Sequence, residues 1–270
     1  MPSPLPIGIF DSGVGGLSIM KEVRLRLPAE GLLYYADSAY CPYGSRPLSV
    51  IQGRAYAICD FLQSQGVKLI VVASNTTSVA ALDQVRDYAR VPVVGVEPAV
   101  KPASELTKNG RVGVLATVVT LAGNRFNNLV ERFGNGVEIY TQPCPGLVEQ
   151  IEAGSWEGPE TEALLGNYLS RLLEHDVDTV VLGCTHYPFL RPLVEKMAGT
   201  GVKVIDTGEA VAQQVVRVLE NNGLFTPESA PGWERFYTSG NPGKVGRVIR
   251  LLLQDPGLEV QQVNLDHQLC

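Results

Sequence analysis

The chain echoes itself. "IGIFDSG" at 7–13 resembles "VGVLATV" at 112–118, "VVASNT" at 71–76 resembles "VLGCTH" at 181–186, and "VVGVEP" at 93–98 resembles "VKVIDT" at 202–207. The offsets are 105, 110 and 109 residues. Three echoes in the same order at nearly constant offset point to one structural unit used twice. The 270 residues suffice for two such units.

Each unit alternates short apolar runs with helical patterns. Strands are expected at 6–10, 32–37, 68–73, 91–96 and 111–116, and in "VEIYT", "TVVLG" and "VKVID". Between them, "GLSIMKEVRLRL" at 16–27 puts Leu17, Met20, Val23 and Leu27 on one helical face. Residues 49–66 and 77–89 read as helices, as do "NRFNNLVERFG", "ETEALLGNYLSRLLEHD" and "GEAVAQQVVRVLENNG", and Pro98 stands where another could begin. Strands apolar throughout, separated by helices, imply parallel sheets covered on both faces. The expected fold is therefore α/β: two similar pseudo-symmetric lobes, each a mostly parallel sheet flanked by helices, with the active site in the cleft between them. The division is drawn at 1–97 plus 211–270 for the first lobe and 98–210 for the second. The tail, with "ERFYTSG" and "GKVGRVIRLLLQD", is expected to return to the first sheet.

Composition narrows the function. Twenty-two basic residues against 28 acidic ones give a net charge of −6, which argues against nucleic acid or an anionic membrane surface as the main partner. Runs such as "LIVVA" are far too short for a bilayer span of about 20 residues. "MPSPLPIGIF" lacks the basic start and long apolar stretch of a signal peptide. The expectation is a soluble cytoplasmic protein with its five cysteines as free thiols, since no CxxC pair occurs. Cys41, Cys59, Cys144 and Cys270 are read as structural.

In open α/β sheets, ligands sit beyond the C-terminal strand ends. Asp11-Ser12, Ser74-Asn75-Thr76, Thr117 and Cys184-Thr185-His186 all fall there. The echo pairs Ser74, in "LIVVASNTTSVAAL", with Cys184, in "DTVVLGCTHYPFL". Acid–base groups on opposite sides of a cleft suit proton removal from one face of a carbon and return to the other, which one group cannot do alone. Gly13, Gly15 and Gly16 do not make GxGxxG, so a nucleotide loop is not expected. A Cys184/His186 metal pair is not expected either, because no further ligand cluster is visible in the sequence.

"GIFDSGVGGLS" (8–18), "YADSAYCPYG" (35–44), "CPGLVEQIEAG" (144–154), "LGCTHYPFL" (182–190) and "IDTGEA" (205–210) together resemble the glutamate racemases of the aspartate/glutamate racemase group, over nearly the whole length. The resemblance implies interconversion of L- and D-glutamate to supply D-glutamate for peptidoglycan, without pyridoxal phosphate or metal, in a protein that forms a homodimer. It also implies residue roles. Cys184 would take the proton from L-glutamate and His186 would assist it. Asp11 would serve the first cysteine position and Glu152 the second. Ser12, Tyr43, Gly44, Asn75, Thr76, Thr117 and Thr185 would hold the ligand.

The chain departs from the family at the first cysteine, where Ser74 stands. A serine hydroxyl is a far weaker acid than a thiol and a poor base at pH 7. Ser74 is either an engineered replacement, the favoured reading, or a natural departure, and it predicts an impaired racemase. Three alternatives stay open: a one-thiol decarboxylase of the same superfamily, an aspartate racemase, and a catalytically dead protein that binds glutamate.

Overall fold

The computed structural model describes residues 2–134, 136–227 and 231–265. The first half runs β1 (Ile7–Asp11), α1 (Leu17–Arg26), β2 (Leu32–Ala36), α2 (Leu48–Ser64), β3 (Leu69–Val72), α3 (Asn75–Tyr88) and β4 (Val93–Gly95). Then come α4 (Val100–Leu106), β5 (Arg111–Ala116), α5 (Val118–Ala122), α6 (Asn124–Phe133), β6 (Glu138–Pro143), α7 (Leu147–Glu152), α8 (Pro159–Leu173), β7 (Thr179–Leu182), α9 (Arg191–Ala198) and β8 (Lys203–Ile205). The chain closes with α10 (Gly208–Asn222), β9 (Glu234–Thr238), α11 (Pro242–Leu253) and β10 (Val260–Gln262). Two short 3-10 turns, Tyr43–Ser45 and Tyr187–Leu190, follow β2 and β7.

The strands form two sheets, ordered β10-β9-β2-β1-β3-β4 and β6-β5-β7-β8. Every pairing is parallel. The order β2-β1-β3-β4 of the first sheet recurs as β6-β5-β7-β8 in the second. Register repeats as well. Ile9 pairs with Val71 in the first lobe, and their echoes Val114 and Val181 pair in the second. The third echo is corrected by two residues: Val71 pairs with Val94, whereas Val181 pairs with Ile205. A two-residue slip keeps side-chain direction, which is why the apolar pattern conceals it. β9 and β10 extend the first sheet beyond β2.

Strands β1, β2, β3 and β7 are buried along their whole length, as expected for parallel sheets covered on both faces. One continuous apolar core joins the lobes: Ile9, Val71 and Tyr34 of the first sheet share it with Leu115, Leu182 and Cys184 of the second. Leu17, Met20 and Val23 of α1 and Val211, Val215 and Leu219 of α10 belong to it too, and these two helices pack against each other. α10 passes position 210 without a break. α5, α7 and α9 carry no visible helical period in the sequence because each has only five to eight residues, little more than two turns at most.

Candidate active site

The second lobe contributes a line of three side chains. Cys184 follows β7, with Sγ 3.7 Å from Nδ1 of His186. His186 Nε2 lies 2.6 Å from Oε1 of Glu152, the last residue of α7. His186 and Cys184 are buried, and Glu152 is nearly so. Burial pulls the imidazole pKa down, but hydrogen bonds with Cys184, Cys41 and Glu152 outweigh it and hold His186 well above its ordinary value. An imidazolium can donate from both nitrogens at once, toward the Cys184 sulfur on one side and the Glu152 carboxylate on the other.

The first lobe meets this line through the turn after β1. Asp11 Oδ1 accepts from the Ser12 N–H at 2.6 Å, and Oδ2 accepts from the Gly16 N–H at 2.7 Å. Burial raises the Asp11 pKa against the opposing pull of His186, the Ser12 N–H and the Ser74 hydroxyl, and the net shift is upward. Asp11 thus braces the turn and also touches the site. The helix cap itself is Gly16. The turn can lie this close only because it lacks side chains. A Cβ on Gly13 would stand 1.9 Å from Glu152 Oε1, and one on Gly15 would stand 2.2 Å from His186 Nδ1. Four contacts stitch the lobes here. The Val14 N–H donates to Glu152 at 2.7 Å, and Thr185 Oγ1 donates to Asp11 Oδ2 at 3.1 Å. Ser18 Oγ donates to the Thr185 carbonyl at 2.7 Å, and Thr76 and Thr117 share a hydroxyl contact at 3.1 Å.

Ser74 ends the loop after β3 and caps α3. Its backbone is extended (φ −144°, ψ 118°), and its Oγ accepts from the Thr77 N–H at 3.2 Å. Thr117 caps α5 in the same way, accepting from the Thr120 N–H at 3.3 Å. Both caps stand at helix N-termini, where N–H groups and the helix dipole favour an anion. Asn75 is buried, and its Nδ2 is without a hydrogen-bond partner among the described residues. An unmatched buried donor costs free energy unless a ligand supplies the acceptor.

Ser12, Asn75, Thr76 and Thr185 are buried along these strand ends, and Gly44 lies against Thr117. Tyr43 is anchored by its side chain. Its hydroxyl bonds Asp37, which also takes a two-pronged grip from Arg54 at 2.8 and 2.9 Å. Cys41 calls for a correction. Read from sequence as structural, it has its sulfur within 4.8 Å of donor atoms of His186 and Glu152, and burial with Glu152 nearby pushes its pKa up to about 12. The clue was its place in "YADSAYCPYG", two residues before Tyr43. Cys41, Glu152 and His186 thus lie close enough together to hold a metal ion, a grouping the sequence did not reveal. Cys59 and Cys144 are buried in the apolar cores. Cys270 lies outside the described residues.

Residues 7–215 match the sequence profile described as Asp/Glu/Hydantoin racemase. A glutamate racemase of Pseudomonas aeruginosa is 50% identical over 251 residues, 93% of this chain and 94% of that protein. The crystal structure of the Francisella tularensis glutamate racemase in complex with D-glutamate superposes with a TM-score of 0.84 at 34% identity, covering 98% of this chain and 99% of that one. The Escherichia coli glutamate racemase, crystallised with L-glutamate and the activator UDP-MurNAc-ala, gives a TM-score of 0.83 at 34% identity over 96% and 98% of the two chains. With the matched profile spanning most of its length, this chain belongs to the Asp/Glu/Hydantoin racemase family.

Proposed function

We propose that this chain is an amino-acid racemase acting on glutamate, interconverting the L- and D-isomers by proton transfer at Cα without a redox or carbonyl cofactor. The product would serve peptidoglycan synthesis. The observation that carries the reading is the buried line Glu152–His186–Cys184 meeting Asp11 and Ser74 from the other lobe. The likeness to glutamate racemases along nearly the whole chain supports glutamate over aspartate.

In this reading Cys184 is the base for L-glutamate. His186, charged through its hydrogen bonds, donates toward the Cys184 sulfur, and Glu152 holds the imidazole in place. The carbanion formed is stabilised as negative charge spreads onto the substrate carboxylate, which the α3 and α5 N-termini, Asn75 and the Tyr43–Gly44 backbone receive. Ser12, Thr76, Thr117 and Thr185 supply hydroxyls. Ser74 occupies the opposite face with Asp11 beside it. A hydroxyl there delivers a proton or holds a water but is a weak base, so proton removal from D-glutamate is the weak step and racemisation is slowed in both directions. The groups are buried, so ligand entry requires the lobes, 1–97 with 211–270 and 98–210, to part at the stitched contacts. A cytoplasmic site of action suits the free thiols at Cys41, Cys59, Cys144 and Cys184. Homodimerisation follows from the family resemblance.

The test is exchange of the L-glutamate Cα proton for solvent deuterium. The chain should exchange it, and Cys184→Ala should abolish the exchange. A chain that binds L-glutamate without any exchange is a binding protein, and carbon dioxide release would point to a decarboxylase.

A further inference from the structure

Cys41, Glu152 and His186 each offer one donor atom, and these atoms lie within 4.8 Å of one another. Donors around a tetrahedral zinc ion stand about 3–4 Å apart, given bonds of about 2.0–2.3 Å. The His186–Glu152 edge is already 2.6 Å, so only modest side-chain movement is needed. The donors are a thiol, an imidazole and a carboxylate, a set suited to zinc and unsuited to magnesium or calcium, which take oxygen ligands. Three protein ligands with a fourth position open is a common zinc arrangement. The remaining ring nitrogen of His186 faces Cys184 at 3.7 Å, the kind of outer partner that orients a ligating histidine. Glu152 and Cys41 are incompletely buried, which leaves a route in from solvent.

The three ligands do not share a lobe. Cys41 follows β2 of the first sheet, Glu152 ends α7, and His186 follows β7 of the second sheet. The geometry points to a zinc site, formed by Cys41, Glu152 and His186, that clamps the two lobes together and blocks the reaction. The ion would replace the His186–Glu152 hydrogen bond that fixes the imidazole beside Cys184, and it would oppose lobe opening. Metal binding itself does not depend on the racemase reading. Only the inhibition does.

Cobalt(II), a spectroscopic stand-in for zinc, tests the site without any activity assay. Titrated into the full chain, it should give a near-ultraviolet thiolate-to-cobalt charge-transfer band, displaced by zinc. Cys41→Ala should lose the band. It should also lose zinc affinity by at least the roughly 10–100-fold that follows removal of an outer partner. Zinc should raise the melting temperature of the parent chain and leave that of Cys41→Ala unchanged. If Cys41→Ala does not fold, the near-isosteric Cys41→Ser replaces it with the same expectation. A missing band at saturating cobalt, or a band that survives loss of the Cys41 thiol, overturns the site. Zinc binding with unchanged deuterium exchange at L-glutamate Cα overturns the clamp. Should the metal bind in a chain that exchanges nothing even without zinc, the racemase reading fails while the site stands.

Discussion

Thr185 Oγ1 donates to Asp11 Oδ2 at 3.1 Å, so a residue beside the Cys184 thiol in one lobe is tied to the acid at the end of β1 in the other. The bond reaches a buried carboxyl group that takes backbone donors from Ser12 and Gly16. Thr185→Val keeps the shape and removes only this donor. Hydrogen bonds to charged groups contribute about 1.5–3 kcal/mol. We predict a loss of that size in denaturant unfolding, and a further upward shift of the Asp11 pKa. A variant as stable as the parent would show that the bond does not hold the lobes.

The pH dependence of stability follows from His186. Its folded-state pKa stands well above the unfolded value near 6.5. A raised value means that the folded chain binds the proton more tightly. The associated stability is therefore fully present below about pH 6.5 and is lost as pH rises through the folded value. Glu152→Gln removes the carboxylate 2.6 Å from Nε2 and should bring the His186 titration, followed by NMR of the ring protons, downward. It should flatten this part of the stability profile as well. Stability that instead rises through the same window would contradict a protonated His186.

Gly15→Ala tests whether the turn's closeness matters. The new Cβ would meet His186 Nδ1 at 2.2 Å, and the ring cannot remain between Cys184 and Glu152. Deuterium exchange at L-glutamate Cα should fall by at least about tenfold, since misplacement of about 1 Å can cost about 100-fold. The turn lies at the ends of elements, so the fold should survive by circular dichroism. Near-parental exchange would mean that the imidazole position is not what limits proton removal.

The repeat and the apolar strands made most of the architecture legible, because both features are local in the sequence. Ser74 and Cys184 could be paired by the echo alone. The contact between Cys41 and His186 could not be read in this way, since it depends on where the segment after β2 crosses the lobe interface. The direction of the Tyr43 hydroxyl was equally hidden. Asp37 and Arg54 lie 17 residues apart, and only the packed fold buries their ion pair and draws Tyr43 onto it. The two-residue slip at β8 escaped because strand patterns repeat every two residues.

Ser74 is the position on which the account turns. Its hydroxyl caps α3, and a thiol there is a weaker cap, so Ser74→Cys should cost up to about 2 kcal/mol of stability. In exchange it should gain a second base. The most direct measurement is Cα deuterium exchange by NMR for L- and D-glutamate separately, in the parent chain and in Ser74→Cys. The account predicts that the parent exchanges L-glutamate and barely touches D-glutamate, and that Ser74→Cys exchanges both and racemises them. Equal exchange of both isomers by the parent, or no gain with D-glutamate in Ser74→Cys, would contradict it.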